Sequence, residues 1–195
     1  MNLKGSKTYN NLMRAFAGES QARNRYYMAA SVSKSEGFHV IGDVFNYTAD
    51  QERAHAKVFY QKLKEFAGDN ISITGAYPID PMDSTIKVLR AAQHNELEEW
   101  DVVYKDFGKT AREEGFIEIA DLFGRIANIE KTHADRFGKL ADEIENGTIF
   151  KRSEKIEWMC TVCGNIHVGE EAPKVCNVCL HPQGFFTPRG SGLKS

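Results

Sequence analysis

Glu52-Arg53-Ala54-His55-Ala56-Lys57-Val58-Phe59 and Glu130-Lys131-Thr132-His133-Ala134-Asp135-Arg136-Phe137 are the two stretches that decide the fold. Each is a Glu-x-x-His followed four residues later by Phe, so Glu, His and Phe share one face of a helix. Working outward, apolar residues continue the same face in steps of three and four. One stripe reads Ile41, Phe45, Thr48, Glu52, His55, Phe59, Leu63, Phe66, and the other Ile119, Phe123, Ile126, Glu130, His133, Phe137, Leu140, Ile144. Two further stripes have the same character: Leu12, Ala15, Glu19, Ala22, Tyr26, and Leu89, Ala92, Glu96, Glu99, Val103, Phe107. Such periodicity predicts four amphipathic helices. They run from about Lys7 to Ser35, from Phe38 to Ala67, from Asp83 or Ser84 to near Gly115, and from Phe116 to Glu145. Gly37, Gly68, Gly115 and Asn146-Gly147 supply the stops.

The chain also repeats itself. Glu19 precedes Glu52 by 33 residues and Glu96 precedes Glu130 by 34, and each second member opens a Glu-x-x-His. Two helix pairs of one design predict a four-helix bundle with internal pseudo-two-fold symmetry. The connection between the pairs carries Gly75, Pro78 and Pro81, and so is not helical.

Every predicted helix places a carboxylate in the middle of its driest face. An unpartnered buried carboxylate costs several kcal/mol, and no Lys or Arg occupies those stripe positions. A pair of metal ions answers the charge: five carboxylates carry −5 against +4 from two Fe(II). A Glu from each of two helices plus a Glu-x-x-His from each of the other two is a known recipe for a two-metal carboxylate site. A lone Glu-x-x-His is ordinarily a solvated pair; two matched copies at mid-stripe, each with an upstream Glu, are not. Glu99 is one carboxylate beyond the recipe. Tyr26 and Tyr104 follow Glu19 and Glu96 by seven and eight residues. Core packing and a hydrogen bond to a ligand are both open to them. His39 and His94 lie off the stripes and read as surface residues.

Beyond Gly147 the character changes. Residues 148–157 read as a polar linker without helical period, and residues 158–195 as a small unit too short to hold together by core burial alone. Its staple is Cys160-Thr161-Val162-Cys163 and Cys176-Asn177-Val178-Cys179. Two Cys-x-x-Cys loops bring four thiolates to one ion. Tetrahedral sulfur suits zinc or iron; spacing alone favours a structural zinc, and the neighbouring redox-capable site reverses that order. His167 reads as exposed and His181 as structural.

The bulk numbers limit the partners. With 195 residues, 42% hydrophobic, 27% charged and net charge −2, nothing recommends nucleic acid or an anionic membrane. No apolar run approaches the roughly 18 residues of a membrane helix, and residues 1–7 lack the apolar core of a secretory signal. The expected location is cytoplasmic, where a cysteine cluster reads as a metal site rather than disulfides.

Taken together, these residues resemble the rubrerythrins. The signatures are Gly18-Glu19-Ser20-Gln21-Ala22-Arg23-Asn24-Arg25-Tyr26, Asp50-Gln51-Glu52-Arg53-Ala54-His55-Ala56, Glu96-x-x-Glu99, Glu130-x-x-His133, and the two cysteine loops ending in His181-Pro182. The resemblance implies a ferritin-like bundle over residues 1–147 and a β-rich, rubredoxin-like, metal-stapled domain at 158–195. It implies Glu19, Glu52, His55, Glu96, Glu99, Glu130 and His133 as catalytic di-iron ligands. Glu52 and Glu130 would bridge, and one iron would move between Glu99 and His55 on reduction. Cys160, Cys163, Cys176 and Cys179 would hold a single iron, which zinc can replace. The implied activity is reduction of hydrogen peroxide to water in oxidative-stress defence by a head-to-tail homodimer. Electrons would come from NADH through a separate reductase or rubredoxin, since the chain has no dinucleotide fingerprint. Asn177 departs from the proline often found there, and Gln93-His94-Asn95 from a smaller run before Glu96; neither removes a ligand. The alternatives are a ferroxidase or iron-storage protein and a non-enzymatic binding module with zinc in its tail.

Overall fold

The computed structural model describes residues 2–191; the last four residues of the expected tail domain lie outside them. Helix α1 spans Lys7–Ser35, α2 His39–Lys62, α3 Thr85–Glu98, α4 Tyr104–Glu113 and α5 Ile117–Glu145. The Ser6 side chain accepts from the Tyr9 amide and caps α1. Gly37 and Gly115, at φ +84 each, end the first and third rods and reverse the chain at once into α2 and α5.

Each helix pair caps the other. The Glu114 carboxylate, at the end of α4, accepts from the Lys7 and Thr8 amides at the start of α1 (3.0 and 2.8 Å). Glu36, at the end of α1, accepts from the Thr85 amide at the start of α3 (2.6 Å). Negative charge at a helix N-terminus is favourable, so both ends of the bundle are tied across the pseudo-two-fold axis.

The second predicted helix is shorter than expected. It ends at Lys62, and a 3₁₀ turn follows at Lys64–Phe66. The third is not one helix. A π turn over Glu99–Val103 separates α3 from α4. The internal repeat explains it. Thr8 and Glu19 correspond to Thr85 and Glu96 at an offset of 77, whereas Tyr26, Glu36, Glu52 and His55 correspond to Tyr104, Glu114, Glu130 and His133 at an offset of 78. The second copy thus holds one extra residue, and the helix absorbs it as a π turn. The turn rotates the downstream face by one position. Tyr104 and Ala111 become buried, whereas Val103 and Phe107 of the expected stripe are only partly covered.

The bundle core divides into two halves. One gathers Leu12, Phe59, Tyr104, Phe123 and Ile126; the other gathers Tyr26, Phe45, Leu89, Phe137 and Leu140. Glu19, Glu52, Glu96, Glu130, His55 and His133 are buried as well.

Residues 148–157, expected as a linker, are largely strand. β1 runs Lys151–Cys160 and lies between β2 (Ile166–Glu171) and β3 (Phe186–Pro188), antiparallel to both. Its seven residues before Trp158 alternate too weakly in polarity to signal a strand. Trp158 is fully buried and donates from its indole to the Gly169 carbonyl (3.0 Å), against Cys160, Ala172, Cys176 and Phe186. The small domain rests on the α1–α2 turn. Gly184 lies so close to the Gly37 carbonyl that a Cβ there would come within 1.6 Å of the oxygen. His39, read as a surface residue, is only partly exposed and stacks on Phe185 with centroids 3.9 Å apart.

Candidate metal centres

Six of the seven bundle residues converge at mid-length. Glu19, Glu52, His55 and Glu130 form one group, and Glu52, Glu96, Glu130 and His133 a second; within each, the potential ligand atoms lie within 4.8 Å of one another. Glu52 and Glu130 belong to both. The histidines face each other at 5.8 Å between ring centroids. His55 Nδ1 is 2.9 Å from Glu52 and 3.1 Å from Glu130; His133 Nδ1 is 3.0 Å from Glu52 and 2.9 Å from Glu130. Glu99, on the π turn, belongs to neither group. It is partly covered and lines a cavity of about 380 Å³ with Gln21, Tyr104 and the crossover residue Tyr77.

Tyr26 and Tyr104 are fully buried hydrogen-bond donors. Tyr26 donates to Glu96 Oε1 and Tyr104 to Glu19 Oε1. Each tyrosine therefore serves the carboxylate of the other helix pair, not the one that precedes it in sequence.

Protons or cations must offset the buried charge of this cluster. Burial, then Glu130 and Glu52, push Glu19 well above the ordinary carboxylate range. Burial and Glu52 push Glu96 up to about 8. Burial and Glu96 raise Glu99 likewise. Glu52 goes the other way, to about 2: burial opposes its charge, but the His133 and His55 rings beside it outweigh that cost. His55 rises to about 10, because Glu130 and Glu52 overcome the cost of burial.

Hydrogen bonding fails where metal binding would succeed. Glu19 Oε2, Glu52 Oε1, Glu96 Oε2, both Glu130 oxygens and both His133 nitrogens are buried without a hydrogen-bond partner. His133 Nδ1 has carboxylate oxygens at ion-pair distance, yet none is placed to accept its proton. So many orphaned groups in one core are not tolerated on their own account. They fit two shared cations.

The four cysteines converge equally. None is in a disulfide. The Cys160–Cys179 and Cys163–Cys176 sulfurs are 3.6 and 3.7 Å apart, and all four fall within 4.8 Å. Metal–sulfur bonds of about 2.3 Å in a tetrahedron put sulfurs roughly 3.8 Å apart, so the cage has the dimensions of one ion. Amides of Cys179 and Val178 help bring the Cys176 thiol down to about 6. The His181 amide would lower Cys179, but burial and the three other thiols push it up to about 12. Gly164 holds φ +76 after the first loop; after the second, Leu180 takes φ +62. Asn177, in place of proline, accepts from Asn165 Nδ2 (3.0 Å) and bridges the two loops. His181 Nδ1 donates to the Cys179 carbonyl (3.1 Å) and is not among the ligands; His94 is exposed, and His167 is partly covered rather than exposed.

Fold and sites together define a ferritin-like, two-metal carboxylate bundle joined to a four-cysteine metal domain. A family model described as "Rubrerythrin" matches residues 10–141, with a second match at 87–160, and one described as "Rubrerythrin, rubredoxin-like domain" matches 158–187. The rubrerythrin of Porphyromonas gingivalis is 47% identical over 95% of this chain and 92% of its own. That of Nitratidesulfovibrio vulgaris is 42% identical over 94% and 95%. The solved all-ferrous, fully reduced nigerythrin superposes with a TM-score of 0.63 at 28% identity, covering 95% of this chain and 90% of that one. The chain belongs to the rubrerythrin family, and its cofactor is non-haem iron: two in the bundle and one at the cysteines. No helix among the described residues is long and apolar enough to cross a membrane.

Proposed function

We propose that this protein reduces hydrogen peroxide to water, with electrons passed from a separate NADH-linked reductase or rubredoxin through the four-cysteine iron to the bundle irons. The observation that carries this reading is one chain holding both a two-ion carboxylate site beside a cavity and a closed four-thiolate site with no open position. Storage or ferroxidase chemistry has no use for the second. When bound, the two bundle ions would supply the two electrons that cleave the O–O bond.

The residues divide the work. Glu52 and Glu130, common to both groups, would hold both ions; Glu19 and His55 would complete one position, and Glu96 and His133 the other. Glu99, outside both groups, would be the exchangeable carboxylate, alternating with His55 as a ligand. Tyr26 and Tyr104 hold Glu96 and Glu19 in orientation and keep a proton at their outer oxygens. Peroxide enters by the cavity that Glu99 and Tyr104 line.

The working unit in this reading is a head-to-tail homodimer in the cytoplasm. The tail domain is docked at His39, and Glu52 follows His39 by thirteen helical steps, roughly 20 Å at ~1.5 Å per residue. An antiparallel partner brings its own tail closer.

The test is metal analysis joined to single-turnover oxidation. Native protein should hold three irons per chain, and the reduced form should be oxidised by hydrogen peroxide far faster than by oxygen. Faster oxidation by oxygen, with iron accumulating beyond three, would establish the ferroxidase reading instead. Zinc at the thiolates of iron-replete protein would remove the electron relay.

A further inference from the structure

The crossover between helix pairs does more than connect them. Residues 67–84 run without regular structure from the end of α2 to the start of α3, and on the way they pass over the cavity beside Glu99. Three residues of this segment hold it there. Asp80 forms a buried ion pair with Arg25 of α1 (2.5 Å; side chains 8% and 7% exposed) and accepts from Asn95 of α3 (3.0 Å). Tyr77 lays its ring on the bare backbone of α1 at Gly18, where a Cβ would be 3.7 Å from the ring, and donates to the Arg14 carbonyl (3.2 Å). Gly75 lies under the same ring, its absent side chain leaving room for the fold-back; a Cβ there would be 3.0 Å from the phenol oxygen.

Tyr77 thus has one face on the cavity and 41% of its surface in solvent. It covers one side of the cavity's mouth, whose opposite rim carries the exposed Glu98, Val102 and Asp106. The space behind it does not select by size. About 380 Å³ is more than ten times the roughly 30 Å³ share of a water molecule, and its walls include apolar Ala15, Val102, Val103 and Phe107. A bulky oxidant would fit once inside, so selection falls to the mouth that Tyr77 narrows.

We infer that Tyr77 is a specificity-determining gate. It is latched through Asp80, admits hydrogen peroxide, and holds back organic hydroperoxides that the cavity behind it would accept. This rests on the peroxidase reading. Either oxidant is cleaved at its O–O bond with two electrons from the reduced iron sites and two protons. The products are two waters, or one water and an alcohol.

The experiment uses the iron-loaded full chain and the variants Tyr77→Ala, Tyr77→Phe and Ile79→Ala. Ile79 is in the same segment but fully exposed, and is a control for loosening the loop. The first readout is the ratio of kcat/KM for hydrogen peroxide to that for cumene hydroperoxide. It should fall on the order of tenfold or more in Tyr77→Ala, the scale of one pocket-group exclusion, and hold in Tyr77→Phe and Ile79→Ala. The second readout needs no turnover: removal of ferrous iron by a bulky phenanthroline-sulfonate chelator should be about tenfold faster in Tyr77→Ala, a similar scale of lost steric exclusion. An unchanged chelation rate overturns the gate, and so does faster chelation with an unchanged ratio. If no variant or wild type turns over hydrogen peroxide while chelation accelerates, the peroxidase reading fails and Tyr77 stands as a gate to the metals.

Discussion

Tyr104 donates its phenolic hydrogen bond to Glu19, across the bundle from the helix that carries Tyr104. Tyr26 returns the same bond to Glu96. The exchange couples the two halves of the site, so that neither terminal carboxylate is oriented by its own helix pair. Replacing either tyrosine by phenylalanine leaves a buried carboxylate oxygen without its donor. Tyr104→Phe and Tyr26→Phe should each lower peroxide turnover or iron affinity on the order of tenfold, the usual effect of removing a group that orients a ligand. Iron content and steady-state rates measured together would check it; native values for both would show the tyrosines to be packing alone.

Glu99 stands outside both four-ligand groups. Glu99→Ala should therefore bind two irons in the bundle while turning over peroxide more slowly. Loss of one iron would make it an obligatory ligand, and an unchanged rate would make it a bystander.

The metal-free protein should lose stability as pH rises above neutrality. Glu96 is raised from 4.5 to about 8 in the folded chain, and His55 from 6.5 to about 10. Groups raised by folding stabilise fully below their unfolded pKa, and that contribution is lost as pH climbs to the folded value. Glu52, lowered to about 2, acts in the opposite sense and is lost only below 4.5. The melting temperature of chelator-treated protein should thus fall between pH 6.5 and 9, less steeply in Glu96→Gln. Calorimetry showing a flat or rising melting temperature across that window would contradict the assignment.

Gly184 packs against the Gly37 carbonyl with no room for a methyl group. Gly184→Ala should unseat the small domain while leaving its iron bound. Limited proteolysis near residues 148–150 should then accelerate, with an unchanged visible spectrum from the cysteine iron. Equal cleavage rates would mean that the contact at the α1–α2 turn is not what holds the domain.

Electron transfer between chains is tested by a mixed dimer. One chain carries Cys160→Ser and Cys163→Ser, the other Glu52→Ala and Glu130→Ala. Transfer in trans leaves one intact route, at about half the native rate per dimer because one of the two routes of a symmetric dimer survives. An inactive heterodimer, beside an active one with both lesions in the same chain, would place the route within one chain.

The heptad-like steps around Glu52, His55, Glu130 and His133 determined the bundle, the buried carboxylates and the need for cations, because helical spacing alone decides which side chains share a face. The paired Cys-x-x-Cys loops determined the second site for the same reason: their ligands are local. What crosses between elements was not legible. The extra residue after Glu96 could enter as a loop, a bulge or a π turn, and only packing against α5 decided for the turn that sets Glu99 apart and buries Tyr104 in place of Val103. The partners of Tyr26 and Tyr104 depended on how the pairs cross. Strand β1 exists because β2 and β3 complete its hydrogen bonds, not because residues 151–157 prefer extension. His39 read as an ordinary surface side chain until the fold laid Phe185 on it, and nothing in the sequence placed Tyr77 over the cavity. Periodicity reports a residue's place on its own helix; its long-range neighbours are fixed by the packing of whole elements, which no local spacing encodes.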